Sequence, residues 1–367
     1  MIDHRDILAS FRTELASHLV KVSPPPVVPL HVSPWIAMSL LQKAIRRGRV
    51  EIAISAAATL LVNDPDRLWR RLGCIAFEDI GLADPCTVGM VASVLGGKRI
   101  RAALGGEWTV AASLTHCLAS TAKCRATDDL LVAVETMPRL ADQRRDFAGL
   151  SHSRLRLIIL DTGSLHERAL ALLYLAGTEA RPNPHFRARR GEPALAFDVL
   201  DELGAPPTII EVSREGYRRT REALCLLLPL LAAERDDSTP TISNDAMPPE
   251  AMAGPIPGWV LDAYTREGKE ALRRLLGTQA GLATWARQHL PPGQRMPFSA
   301  RVLFHVEGGL LSRRRRTAQN DELRRINEEE ASGVSPEQML EAMDLMRADL
   351  PILNAIRANI MGGQSNV

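Results

Sequence analysis

Cys74-Ile75-Ala76-Phe77-Glu78-Asp79-Ile80-Gly81-Leu82-Ala83-Asp84-Pro85 sets two adjacent carboxylates into an apolar helical run. Asp64-Pro65 opens that helix as N-cap and first helical residue. Leu68, Leu72, Ile75 and Asp79 then fall on one stripe at helical spacing. Asp79 therefore continues a core-facing line. A carboxylate there must be hydrogen-bonded, paired or protonated. Two chemistries answer that demand. Glu78 and Asp79 activate water or stabilise a developing cation. Alternatively, Asp79 pairs with an arginine such as Arg70 or Arg71 and is structural.

Working outward, the chain reads as helix after helix. Residues 7–20 are amphipathic, and Ser23-Pro24-Pro25-Pro26 breaks the pattern into an extended linker. Ser33-Pro34 starts the next helix, which Gly48 ends. Turn signals at Asp64-Pro65, Asp84-Pro85, Gly96-Gly97 and Gly105-Gly106 separate the helices that follow. Short connections of this kind predict an all-α, multi-helix bundle in two packed domains meeting near residues 138–160. The expected parts are an N-terminal helix and Pro-rich linker over 1–33, a helical domain over 34–150, and a second helical domain over 151–234 and 258–367. A mobile loop over 235–257, rich in Asp, Ser, Thr, Pro and Met, interrupts the second domain. Pro207–Val212 is the only β-like run.

The 367 residues suffice for a sizeable core in two domains, and a net charge of +2 excludes a polycation. Five lysines stand against 40 arginines, a bias suited to bidentate phosphate contacts and also to a GC-rich genome. Five cysteines without a C-x-x-C pair argue against a disulfide framework and a zinc site. No signal peptide or membrane span is legible, so a cytoplasmic location is expected.

Residues 34–136 resemble the C-terminal helical region of the RarA/MgsA (Werner-helicase-interacting-protein-like) clamp-loader-type ATPases. The resemblance rests on Leu41-Gln42-Lys43-Ala44-Ile45-Arg46-Arg47-Gly48, Asp64-Pro65, Arg70-Arg71-Leu72, Glu78 through Pro85, and Ala119 through Cys124 with Lys123. Ala44 and Phe77 stand where that family usually has a small polar residue and a serine. The family's ATPase module precedes this region, yet only about 33 residues precede it here, and no G-x-x-x-x-G-K-[ST] occurs. The resemblance thus implies a DNA-associated helical scaffold without its motor: not an ATPase, and able to form homo-oligomers.

Three further segments carry candidate chemistry. In Leu261–Gly268, Asp262, Thr265, Arg266 and Lys269 share a helical face that suits phosphate or merely solvent, with Glu267 beside them. His305, in an apolar run, is a general base, a base-stacking residue or a structural histidine. Arg313-Arg314-Arg315-Arg316, at an expected helix end, suits nucleic-acid phosphates, unless Glu328-Glu329-Glu330 neutralises it.

Two functions are compatible with these residues. The first is a DNA-binding enzyme of genome repair or antiviral defence that hydrolyses an N-glycosidic bond with no metal, cofactor or ATP. Asp79, Glu78, Asp262 and His305 would be catalytic; Lys43, Arg46, Arg47, Lys123, Arg266, Lys269 and Arg313 to Arg316 would hold DNA. The second is a non-catalytic scaffold that binds DNA or a replication partner.

Overall fold

A computed structural model describes residues 4–20, 23–161, 163–179, 183–329 and 333–364; Glu330 of the acidic run lies outside them. The chain is 70% helical with 3% strand, so the all-α class holds. Among the described residues no helix is long and apolar enough to cross a membrane.

The expected helix starts form for the expected reasons. Ser33 Oγ accepts from the Ile36 amide at 3.3 Å to open Pro34–Arg46, and Asp64 accepts from the Arg67 amide at 3.1 Å to open Pro65–Ile75. Such side-chain caps replace the missing intrahelical acceptors of the first turn. Leu68, Leu72, Ile75 and Asp79 all face the interior, as their spacing requires. Pro207–Thr220 is helical, β-like as its first residues read. Its neighbours decide the matter: Ile210 and Val212 pack into a helical core with no strand beside them.

The division of the interior differs from expectation. One apolar core takes residues from Leu15 to Leu261, joined by Leu323, Ile326 and Met361. A second, smaller core runs from Ala271 to Leu353. The change of core therefore falls after Leu261, not near 138–160, because helices 152–160 and 165–176 bury Leu155, Ile159 and Leu170 to Tyr174 with the first core.

The 235–257 segment is also not the expected loop. Thr241–Ser243 pairs antiparallel with Arg314–Arg316, and Met252–Ala253 with Ile256–Pro257. Asp245 anchors it: its amide donates to Leu311 O at 2.9 Å, and its carboxylate accepts from Arg314 and Arg324. Polar composition was compatible with disorder, but here the polar groups are satisfied by one another.

Candidate active-site cleft

Between the two cores lies a cleft of about 620 Å³. The helix Pro34–Arg46 supplies one side. Its apolar stripe, Leu40, Leu41, Ala44 and Ile45, is buried in the first core, which turns Gln42, Lys43 and Arg46 toward the cleft. Two π-helical turns shape the rest. Ala76–Ile80 ends the Pro65 helix and carries Glu78 and Asp79; Phe304–Gly308 ends the helix Pro292–Leu303 and carries His305 and Glu307. Single π-turns are frequent at functional sites because they re-aim side chains within a helix. The first turn closes on Gly81 at φ 48°, where a Cβ would sit 3.2 Å from Cys124 O. Glycine is needed there both for the backbone conformation and for the close approach.

The adjacent carboxylates have separate fates. Asp79 is 0% exposed. It accepts from Gln42 Nε2 at 2.9 Å, Arg46 Nε at 2.8 Å and Arg125 Nη1 at 2.5 Å. Burial alone would raise its carboxyl, but the two guanidiniums hold it below the usual range. Its partners are Arg46 and Arg125 rather than Arg70 or Arg71. With no open face, Asp79 cannot meet a substrate, and the expectation that it is catalytic is corrected.

Glu78 keeps an 18% exposed side chain in the cleft while accepting from Arg46 Nη2 at 2.6 Å and Arg125 Nη1 at 3.2 Å. Beside it stands Asp128, which the sequence reading missed. It lies in the first turn of the helix Ala126–Thr136, pairs with Arg125 Nη2 and is equally exposed. Burial pushes the Asp128 carboxyl up to about 7; Arg125 pulls against this, while Glu78 and Asp129 add to it. One guanidinium thus holds two cleft carboxylates, and Asp128 is the one that burial pushes toward its proton-donating form. A signal existed in Arg125-Ala126-Thr127-Asp128, an i,i+3 acid–base pair at a helix start. Only the fold brings it to Glu78, through Thr127 Oγ1 donating to Phe77 O at 2.6 Å.

The other expected residues divide sharply. Asp262 is buried before the helix Arg266–Leu276, whose cap is Thr265, so it is not on that helix's polar face. It pairs with Lys43 at 2.7 Å, and Lys43 also donates to Ser39 Oγ and Val260 O. Burial lowers Lys43 to about 8, with Asp262 opposing. The pair is buried where the first core ends, so Lys43 is not free for DNA. Arg46 spends its donors on Glu78, Asp79 and Gly308 O. Arg47 donates to Glu307 O and lies over the Trp259 ring. Lys123 is fully buried and donates to Ala119 O and Thr121 O. All four are corrected from DNA contacts to internal ties.

His305 does line the cleft, and its Nε2 has no hydrogen-bond partner among the described residues. Burial lowers it to about 3, so it is neutral near pH 7 and too weak to be the general base. Arg266 and Lys269 are exposed, as expected. The arginine cluster is not at a helix end but largely in a strand, whose alternation splits it. Arg314 is buried against Asp245, Arg316 pairs with Asp321, Arg315 is half-buried, and Arg313 is exposed. Should DNA bind here, replacing Arg313 to Arg316 together by alanine should therefore flatten the slope of log K against log salt by about 1, the one phosphate contact open to exposed Arg313. A change approaching 4 would mean that Arg314 and Arg316 leave their partners to bind DNA.

Aromatic side chains stand at the cleft rim. Trp35 is 64% exposed with Arg67 over its ring at 4.5 Å, and Tyr264 is 82% exposed, edge-on to Phe304. A second groove of about 550 Å³ continues past Trp35, Arg71, Glu78 and Asp128, so the two carboxylates lie where the grooves meet. Comparison with protein families, curated proteins and solved structures gives no match for this chain.

Proposed function

We propose that the protein binds DNA and hydrolyses the N-glycosidic bond of a nucleotide drawn into this cleft. The observation that carries the proposal is the Glu78–Asp128 pair on Arg125, at the junction of two grooves with exposed aromatics at the rim. Stacking on Trp35 or Tyr264 would receive a base of any sequence. Protonated Asp128 gives its proton to the departing base as the C1′–N bond breaks and its electron pair leaves with the base. Glu78 stabilises the oxocarbenium-like sugar and takes the proton from the water whose oxygen bonds to C1′. The products are free base and an abasic sugar. Neither step calls on ATP. The likeness of residues 34–136 to the helical region of the clamp-loader-type ATPases adds to the DNA part of this proposal, and repair or defence against foreign DNA is the role such an activity would serve.

The test is direct. Purified protein is incubated with single- and double-stranded oligonucleotides, normal and base-modified, without ATP. Free base and alkali-labile abasic sites are expected. Retarded but intact DNA would instead favour the non-catalytic scaffold. The pH profile gives a second check. An acid that must be protonated acts below its pKa, so activity should fall as pH rises through about 7. An activity still rising between pH 7 and 9 would remove Asp128 from that role.

A further inference from the structure

The cleft contains more positive than negative charge. Lys43, Arg46, Arg71, Arg125 and Arg301 line it, against Glu78, Asp262, the buried Asp79 behind them, and Asp128 only when ionised. Lys43, Arg46 and Arg125 each hold a carboxylate. Arg71 and Arg301 hold none among the described residues. Arg71 donates to Gln42 Oε1 at 3.0 Å. Arg301 donates to Asn327 O and Oδ1, and its Nε is buried with no acceptor. Burial lowers Arg301. A half-buried guanidinium without a counter-charge is costly, and an orphaned N–H adds to that cost. An anion entering the cleft would supply the missing counter-charge. The two arginines also come from different bodies: Arg71 from the helix Pro65–Ile75 of the first core, Arg301 from the helix Pro292–Leu303 of the second.

We infer that the cleft takes a phosphate-bearing nucleotide, its phosphate held by Arg71 and Arg301, one guanidinium from each core. Guanidinium is suited to this because its planar fork gives a phosphate two parallel N–H bonds. The unpartnered Nε2 of His305 in the same cleft provides one neutral hydrogen-bonding group for the rest of the ligand. A cleft of about 620 Å³ is of the size that holds a nucleotide. The identity of the ligand as a nucleotide rests on the proposed glycosidic-bond chemistry; the phosphate rests on the two arginines alone.

Binding is measured by calorimetry on the full chain, with inorganic phosphate, the four deoxynucleoside 5′-monophosphates one by one, the matching nucleosides, and a short single-stranded oligonucleotide. At least one phosphate-bearing probe should bind roughly tenfold or more tightly than its phosphate-free counterpart, and Arg71→Gln or Arg301→Gln should each cost roughly 10- to 100-fold. Preference for the mononucleotide assigns the phosphate to a free monoester; preference for the oligonucleotide assigns it to a strand. Thermal unfolding without ligand guards against a merely structural effect. Arg301→Gln removes an uncompensated charge and should melt no lower than the parent, and Arg301→Lys should keep part of the binding. Nucleosides binding as well as nucleotides, no binding of any phosphate probe, or unaltered affinity in both variants would overturn the inference. Base release is assayed separately on the same preparations. Phosphate-dependent binding without base release removes the glycosidase and leaves the anion site; base release without phosphate dependence does the reverse.

Discussion

Asp79→Asn should destabilise the fold by about 3–5 kcal/mol, the usual consequence of removing one partner from a buried charge pair. The carboxylate has no exposed surface, and it accepts from two guanidiniums and one amide. Asparagine keeps the shape but turns an N–H₂ toward one of those donors and leaves Arg46 and Arg125 short of negative charge. In a chain of this size the melting temperature should drop by roughly 5 °C. The pH dependence gives the sign. A carboxyl held low in the folded state contributes stability that is complete above its unfolded value of 3.8 and is lost as pH falls through the lower folded value. The parent should lose that contribution in acid, whereas the variant should lack it at neutral pH and show a flatter acid limb. Thermal unfolding from pH 3 to 7 measures both. A variant that melts with the parent at pH 7 would contradict the structural role.

Glu78→Gln and Asp128→Asn should behave in the opposite way. Both side chains lie partly open to the cleft, and Arg125 and Arg46 retain Asp79 after either change. Melting should move by no more than about 1 °C, since a partly exposed ion pair contributes about 1 kcal/mol or less. Base release should fall by about a hundredfold or more in each, the usual share of a positioned acid or base. If both groups act in the transition state as proposed, the loss should appear in kcat and in kcat/KM alike. Asp128→Asn should also abolish the decline in activity above pH 7. Should both variants unfold as Asp79→Asn is expected to, with undiminished turnover in the folded fraction, the pair is structural and other groups carry the base release.

The contrast between Asp79 and its neighbours explains what the sequence could reveal. Helix starts at Ser33-Pro34 and Asp64-Pro65 were legible because caps are local chemistry. The Leu68-Leu72-Ile75-Asp79 stripe correctly put a carboxylate in the core, since periodicity reports burial. Its partners were not legible: Arg46 and Arg125 lie 33 and 46 residues away, and nearby Arg70 and Arg71 point elsewhere. Lys43, Arg46, Arg47 and Lys123 looked like phosphate ligands because charge alone suggests solvent; the fold commits them to carbonyls and carboxylates. The Arg313–Arg316 run divides because a strand sends alternate side chains to opposite faces: Arg314 and Arg316 meet carboxylates, while Arg313 stays exposed. Asp128 escaped notice because nothing in its own segment announces Glu78.

The π-turn at Ala76–Ile80 has one more consequence. A π-turn is an α-helix with one residue too many, and each α-helical residue advances the chain by about 100°. The orientation that opens Glu78 and hides Asp79 is therefore a matter of counting along the helix as much as of which side chains are present. Shortening the stretch between Asp64 and Ala76 by one residue would let the helix run on without the bulge and turn the acidic pair by that angle, exchanging inside for outside. The site could be lost by a change of register alone, every residue that forms it still encoded.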